Sequence, residues 1–337
     1  MSRRARRNLA SLLAFLLVCG AAGIAAYCFL PASSTPRYTV VAVPRNASAL
    51  QIGVRLRRHG IIRSARAFSL MARILGESRN LKAGDYRLSP HMSLAQIVSI
   101  IARGESVSIW VTIPEGYTIS QIAERLEELG LVSKRRFTLL AKTGGKSFHI
   151  PSLKLPRNLE GYLFPDTYKF SRLASDRQII ETMLANFSWK VAKPLEQEFA
   201  KSNLPMSKVI TLASLVEREA KKPEERPLIA GVLLNRLRLG MPLQCDASVQ
   251  YALGTHKARL SIEDTKVDSP YNTYQHKGLP PGPICNPGLA CIKAVLNPAP
   301  TRYLYYVAKP DGSHVFSTTF EEHVRAKRRI ASLNTQS

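Results

Sequence analysis

The sequence predicts an α+β protein in three parts: one membrane-crossing helix near the N-terminus, a set of small α+β modules, and a larger mixed α+β domain. Three observations carry this. An uncharged apolar run follows a cluster of arginines. A pattern of proline, glutamine, isoleucine, arginine, leucine and glycine recurs at an offset of 70 residues. Beyond residue 158 the texture changes to aromatic motifs, helical stretches and proline-rich loops. The 337 residues give room for about two domains. With 45% apolar and 21% charged residues, wholesale disorder is excluded.

Arg3, Arg4, Arg6 and Arg7 precede the apolar run from Leu9 to Leu30. As a helix that run rises about 33 Å, enough for a hydrocarbon core of roughly 30 Å. The arginines keep residues 1–8 cytoplasmic and send the rest of the chain across the plasma (inner) membrane. A cleaved signal peptide has a shorter apolar region of about 7–15 residues, so an uncleaved anchor at 9–30 is expected. A lipoprotein is excluded because Cys19 follows Val18 and Cys28 follows Tyr27, not a small residue. Residues 31–40, with Pro31 and Pro36, read as a linker.

The 48 Lys+Arg against 24 Asp+Glu give a net charge of +24, which calls for an anionic partner. Outside the cytoplasm that partner is lipid head groups and wall polymer, not nucleic acid. Cys245, Cys285 and Cys291 read as small buried hydrophobes, and no Cys-x-x-Cys pair suggests zinc. No cofactor or metal is expected.

Residues 41–155 hold the repeat. Pro44, Gln51, Ile52, Arg55, Leu56 and Gly60 match Pro114, Gln121, Ile122, Arg125, Leu126 and Gly130, and Ser93, Gln96, Ile97 and Gly104 make a partial third copy. Each copy reads as a strand ending at proline, a helix start at Ser48 or Thr118, and a closing glycine. Leu81–Leu88 reads as a short strand. Such units resemble LysM-like modules, which bind glycan backbones; a packing scaffold is the alternative. Gly144-Gly145-Lys146-Ser147 lacks the upstream glycine and strand of a phosphate loop and reads as a turn. The proline-interrupted stretch through Pro151 and Pro156 marks a domain boundary, with the second domain over 156–337.

In that domain, 176–190, 207–220 and 227–239 read as helices and 241–290 as polar loop with short strands at most. Tyr303–Ala308 and His314–Phe316 read as a hairpin turned by Asp311-Gly312, followed by a basic helix from Thr319 to Leu333. Ser207 is the expected N-cap of the second helix. Its spacing puts Glu217 on the side of Ile210, Ala213 and Ser214, and turns Glu219 by about 200° toward solvent. A carboxyl held against apolar groups has a raised pKa and suits a general acid. On periodicity alone a border glutamate paired with Lys221 at i+4 is the favoured reading. The neutral hydrogen-bonding residues and rigid proline loops downstream suit a sugar polymer.

Six segments then occur in a characteristic order: LEGYLFPDTY (159–168), LASLVEREA (212–220), ERPLIAGVLLNRLRLGMPLQCD (225–246), YNTY (271–274), GLPPGPICNPG (278–288) and His314–His323. With them the chain resembles the YceG-like endolytic murein transglycosylases, the MltG family, over nearly its whole length. The resemblance implies cleavage of the β-1,4 bond between N-acetylmuramic acid and N-acetylglucosamine in peptidoglycan strands. It also implies 1,6-anhydro-muramyl ends, termination of nascent strands, and work beside peptidoglycan synthases. The family's essential glutamate matches Glu217. Cys245 departs from a small hydroxyl residue, and Ala247-Ser248 from a Pro-Thr pair. Gln244, Asp246, Tyr271, Asn272 and Thr273 are the candidate substrate-binding residues, with loop bracing by Asp246 and Asn272 as the alternative. Glu160 and Asp166 read as cap or turn residues, with lining of the cleft as the alternative. A wall-binding scaffold for synthases and a water-using muramidase with Asp246 as second carboxylate are the competing functions.

Overall fold

The computed structural model describes residues 20, 23, 27, 29–44, 46–151, 153–172, 174–255, 257 and 260–334. The tail at 1–8 and most of the apolar run 9–30, with Cys19 and Cys28, lie outside the described residues. Among the described residues no helix is long and apolar enough to cross a membrane. The chain divides into two compact units, Met1–Trp110 with Lys169–Ala174, and Val111–Tyr168 with Ser175–Ser337. The division falls inside the span 41–155, between the two full copies of the repeat.

In the first unit β1 (Thr39–Val43) is followed by α1 (Ala49–Arg58), α2 (Ala65–Ile74), β2 (Gly84–Leu88) and α3 (Leu94–Arg103). β1 and β2 pair antiparallel with Val41 opposite Tyr86. The two-residue period turns Val41, Val43, Tyr86 and Leu88 onto Ile52, Leu56, Phe68, Ile97 and Ile101, which form one buried cluster. Ser48 and Ser93 each accept the backbone N–H of the glutamine three residues on, and that glutamine returns a bond to the serine N–H. The repeated glutamines Gln51 and Gln96 are thus parts of capping boxes. Gly53 is fixed by a close approach: a Cβ there would stand 2.7 Å from the Ala65 carbonyl oxygen. Gly53→Ala is expected to cost about 1–3 kcal/mol and lower Tm; an unchanged Tm would show that the α1–α2 crossing relaxes.

β3 (Ser108–Thr112) pairs with β4 (Thr167–Ser171). Between them lie α4 (Ile119–Glu128), entered through a third capping box of Thr118 and Gln121, and α5 (Lys134–Thr143). Gly144–Ser147 is a turn ending in a single 3-10 turn, not a phosphate loop. The second unit continues with α6 (Asp176–Phe187), a π turn over Ser188–Ala192, α7 (Glu196–Lys201), α8 (Met206–Glu219) and α9 (Arg226–Arg238). Then come α10 (Asp246–Leu253), α11 (Leu289–Leu296), the hairpin β5 (Tyr305–Ala308) with β6 (His314–Ser317), and α12 (Phe320–Asn334). Gly312, with φ 82°, makes the hairpin turn at Asp311-Gly312.

α8 is the core helix of this unit. Every residue from Val209 to Val216 is buried, and α9, α10 and α11 pack around it. Two expectations are corrected here. The N-cap position of α8 is Pro205, extended with φ −63° and ψ 152° and without a side-chain cap bond; Ser207 lies inside the first turn. The stretch 241–290 contains α10, and α11 begins at its end; the sequence reads there as loop because both helices are only eight residues long.

Candidate active site

The last turn of α8 carries Glu217. Ile210, Ala213 and Ser214 on its side of the helix are buried, as the spacing requires, while Glu217 itself is half-buried. Its Oε2 accepts the Gly288 N–H at 2.9 Å, and the Cys291 thiol also donates to it. Gly288 is the N-cap position of α11, so the carboxyl meets a helix end whose N–H groups point outward. Among the described residues it makes no ion pair with Lys221. Burial, and then Glu217, push the Cys291 thiol far above its ordinary pKa, so it stays a neutral donor. Gly116 backs the same side chain: a Cβ there would lie 3.6 Å from Glu217 Cγ.

Asn286, fully buried, ties the motifs around this point. Its N–H and Nδ2 donate to the Tyr117 carbonyl at 2.8 and 2.9 Å. Its carbonyl accepts the Gly116 N–H at 2.9 Å and its Oδ1 the Leu163 N–H at 2.9 Å. Nδ2 also reaches Glu160 Oε1 at 3.0 Å. Ser214 Oγ on α8 accepts the Ile284 N–H at 3.0 Å. Residues 115–117, 159–164 and 284–288 are therefore clasped to one another and to α8.

Glu219 does not point to solvent, and that expectation is corrected. Its Oε2 lies 3.2 Å from the Tyr306 hydroxyl on β5, and the Ala247 N–H donates to it. The hairpin, distant in sequence, covers the face that helical period assigns to water. Burial and the nearby Asp246 push its pKa up to about 7, against hydrogen bonds from Tyr306 and Ala247 and the charge of Arg218.

The five candidate substrate residues separate into two sets. Gln244 and Asp246 are exposed. Gln244 holds φ 53°, a left-handed conformation costly for a residue with a side chain. It is kept there by its N–H to the Thr273 carbonyl at 3.1 Å and by Arg236, which donates to the Leu243 carbonyl at 2.7 Å and the Gln244 side chain at 3.4 Å. Asp246 Oδ1 accepts the Tyr274 hydroxyl at 2.5 Å. Tyr271 is half-buried and packs on Tyr251 with ring centroids 4.9 Å apart. Asn272 and Thr273 are buried, with their polar atoms turned inward. Asn272 Nδ2 donates to the Thr265 and Val267 carbonyls, and Thr273 Oγ1 accepts the Cys245 N–H at 2.9 Å. Thr273 thus braces the Gln244 turn, and Asn272 the loop through Thr265 and Val267.

Glu160, 1% exposed, accepts the Ile119 N–H at 2.9 Å and so caps α4 from a distant segment. It lies at the wall of a groove of about 450 Å³ with Tyr251, Gln250, Lys142 and Arg218. Burial raises its pKa to about 7, against bonds from Ile119, Tyr251 and Asn286 and the charge of Lys142. The folded state therefore holds the proton more tightly than the unfolded chain does. That contribution to stability is full below the unfolded pKa of 4.5 and is lost as pH rises through about 7. Glu160→Gln, which keeps the oxygen acceptor, is expected to raise stability at pH 8 by about 3 kcal/mol and leave it unchanged at pH 4. Calorimetric Tm values at the two pH values check this; an equal shift at both would refute it.

His314 is engaged by Glu225 at 2.6 Å, and Asp166 by Lys190 and Asn186. Cys245, Cys285 and Cys291 are free and buried. Among the described residues no group of three His, Cys, Asp or Glu is placed to hold a metal ion. Sequence reasoning missed Asn286, Arg236 and Glu115.

Comparison with known proteins completes the picture. The family model described as the YceG-like family matches residues 41–329. An endolytic murein transglycosylase of Bacillus subtilis is 35% identical over 320 residues, covering 90% of this chain and 88% of that protein. One of Streptococcus pneumoniae is 34% identical over 351 residues, covering 94% of this chain but only 63% of that relative. The crystal structure of a putative YceG-like protein from Listeria monocytogenes matches with TM-score 0.58 at 36% identity, covering 86% of this chain and 99% of that one. A match across most of the chain, with aligned identity above one third, makes this protein a member of the YceG-like family.

Proposed function

We propose that the protein is an endolytic lytic transglycosylase of peptidoglycan, cutting the β-1,4 bond between N-acetylmuramic acid and N-acetylglucosamine and leaving 1,6-anhydro ends that terminate nascent strands. The observation that carries this is Glu217, a half-buried carboxyl fixed by the Gly288 N–H at the end of the core helix. The names of the relatives, endolytic murein transglycosylases, support the substrate class. Glu217 protonates the leaving glycosidic oxygen and then, as carboxylate, takes the proton of the muramyl C6 hydroxyl. That hydroxyl attacks its own anomeric carbon, and the intramolecular nucleophile replaces water. Exposed Gln244 and Asp246 present hydrogen-bonding groups, and half-buried Tyr271 a ring face, to the N-acetyl sugars.

Residues 9–30 form a single-pass anchor in the plasma membrane and hold the enzyme beside the synthases that supply nascent glycan. The N-terminal modules act as LysM-like glycan holders. The test is digestion of purified glycan strands, with product ends read by mass spectrometry. Anhydro ends are expected. Reducing ends would instead mean attack by water, and binding without cleavage would leave a scaffold.

A further inference from the structure

Glu115 comes to the catalytic carboxyl from a segment outside the six ordered motifs. Its side chain lies over the α-carbon of Gly288: a Cβ on that glycine would stand 2.0 Å from Glu115 Oε1. The N–H of the same glycine is bound to Glu217. The two carboxyls thus meet one residue, Glu217 at its N–H and Glu115 at its α-carbon. The backbone of Glu115 is held by Pro114 before it and, after it, by the Gly116 N–H on the Asn286 carbonyl. Its side chain remains 47% exposed, so a ligand can reach it. Arg226 at the start of α9 stands 3.8 Å from Glu115 Oε2, and the buried Arg226 Nε has no hydrogen-bond partner.

We propose that Glu115 is a second catalytic carboxylate, facing the sugar ring beside Glu217 and stabilising the positive charge that develops at the anomeric carbon. This rests on the lytic transglycosylase reading of the site. Glu217 gives its proton to the glycosidic oxygen, and the bond from that oxygen to the anomeric carbon breaks with its electron pair going to the oxygen. The carbon becomes cationic. Glu115 offers it negative charge and forms no bond. The C6 hydroxyl then bonds to the anomeric carbon, and its proton returns to Glu217. The guanidinium of Arg226 favours the charged form of Glu115, opposing burial and Glu217, which hold its pKa above the ordinary range. Preplaced charge of this kind contributes strongly in a site from which water is excluded.

The experiment uses the full chain in detergent and the variants Glu115→Gln and Glu115→Asp. On purified glycan strands Glu115→Gln is expected to lower kcat about 100-fold with KM within about threefold. A cationic iminosugar of N-acetylmuramic acid configuration provides a second readout. Wild type binds it at least about tenfold more tightly than the neutral parent sugar, Glu115→Asp keeps part of that preference, and Glu115→Gln loses it. A kcat retained within threefold, or an iminosugar preference that survives Glu115→Gln, overturns the proposal. If wild type yields no anhydro ends, the functional reading fails instead, and the iminosugar comparison still decides the role of Glu115.

Discussion

Glu217→Gln is expected to leave glycan strands uncut, with the rate down about 1,000–10,000-fold. An amide neither donates the proton that the leaving oxygen needs nor accepts the one from the C6 hydroxyl, so both half-steps lose their catalyst. Binding should change little. The glutamine oxygen can still accept the Gly288 N–H that Glu217 accepts at 2.9 Å, and the half-buried side chain keeps its volume. Strand affinity within a few-fold of wild type and an unchanged Tm are the controls. Cleavage at the wild-type rate would remove Glu217 from the mechanism.

The largest structural effect is expected from Asn286→Ala. That side chain donates to the Tyr117 carbonyl and to Glu160 and accepts the Leu163 N–H. Truncation leaves the Leu163 N–H, the Tyr117 carbonyl and part of Glu160 buried with fewer partners, at about 1–3 kcal/mol for each group left unsatisfied. A loss of roughly 4 kcal/mol is expected, a fall in Tm of about 10 °C in a unit of this size. Activity should fall with it below the melting point, because Asn286 also holds the segment that carries Gly288 to Glu217. A Tm drop of under about 2 °C would mean that water replaces the amide there.

Local periodicity recovered what local interactions decide. The burial of Ile210, Ala213 and Ser214 followed from helical spacing, and the hairpin followed from Asp311-Gly312 between two aromatic strands. The repeat followed from glutamines whose purpose, the capping box, lies within three residues of each helix start. What failed were judgements that depend on distant segments. Glu219 sits on the face that period assigns to water, and Tyr306 arrives from 87 residues away to cover it. For Asn272 the sequence left loop bracing open beside sugar binding, and only the fold shows its amide reaching Thr265 and Val267. Glu115 sits in a Pro-Glu-Gly turn, where an acidic residue looks like ordinary solvent-facing punctuation.

The capping boxes have one more property. Four of them, at Ser48, Ser93, Thr118 and Ser175, are closed by glutamine, and one more, at Thr319 before α12, is closed by Glu322. Glutamate closes such boxes as well, but glutamate titrates and glutamine does not. Acidification or a rise in salt that weakens charged contacts leaves these four helix starts intact. Of these boxes only the one at the C-terminal helix can lose its returning bond when a proton binds, because Glu322 closes it.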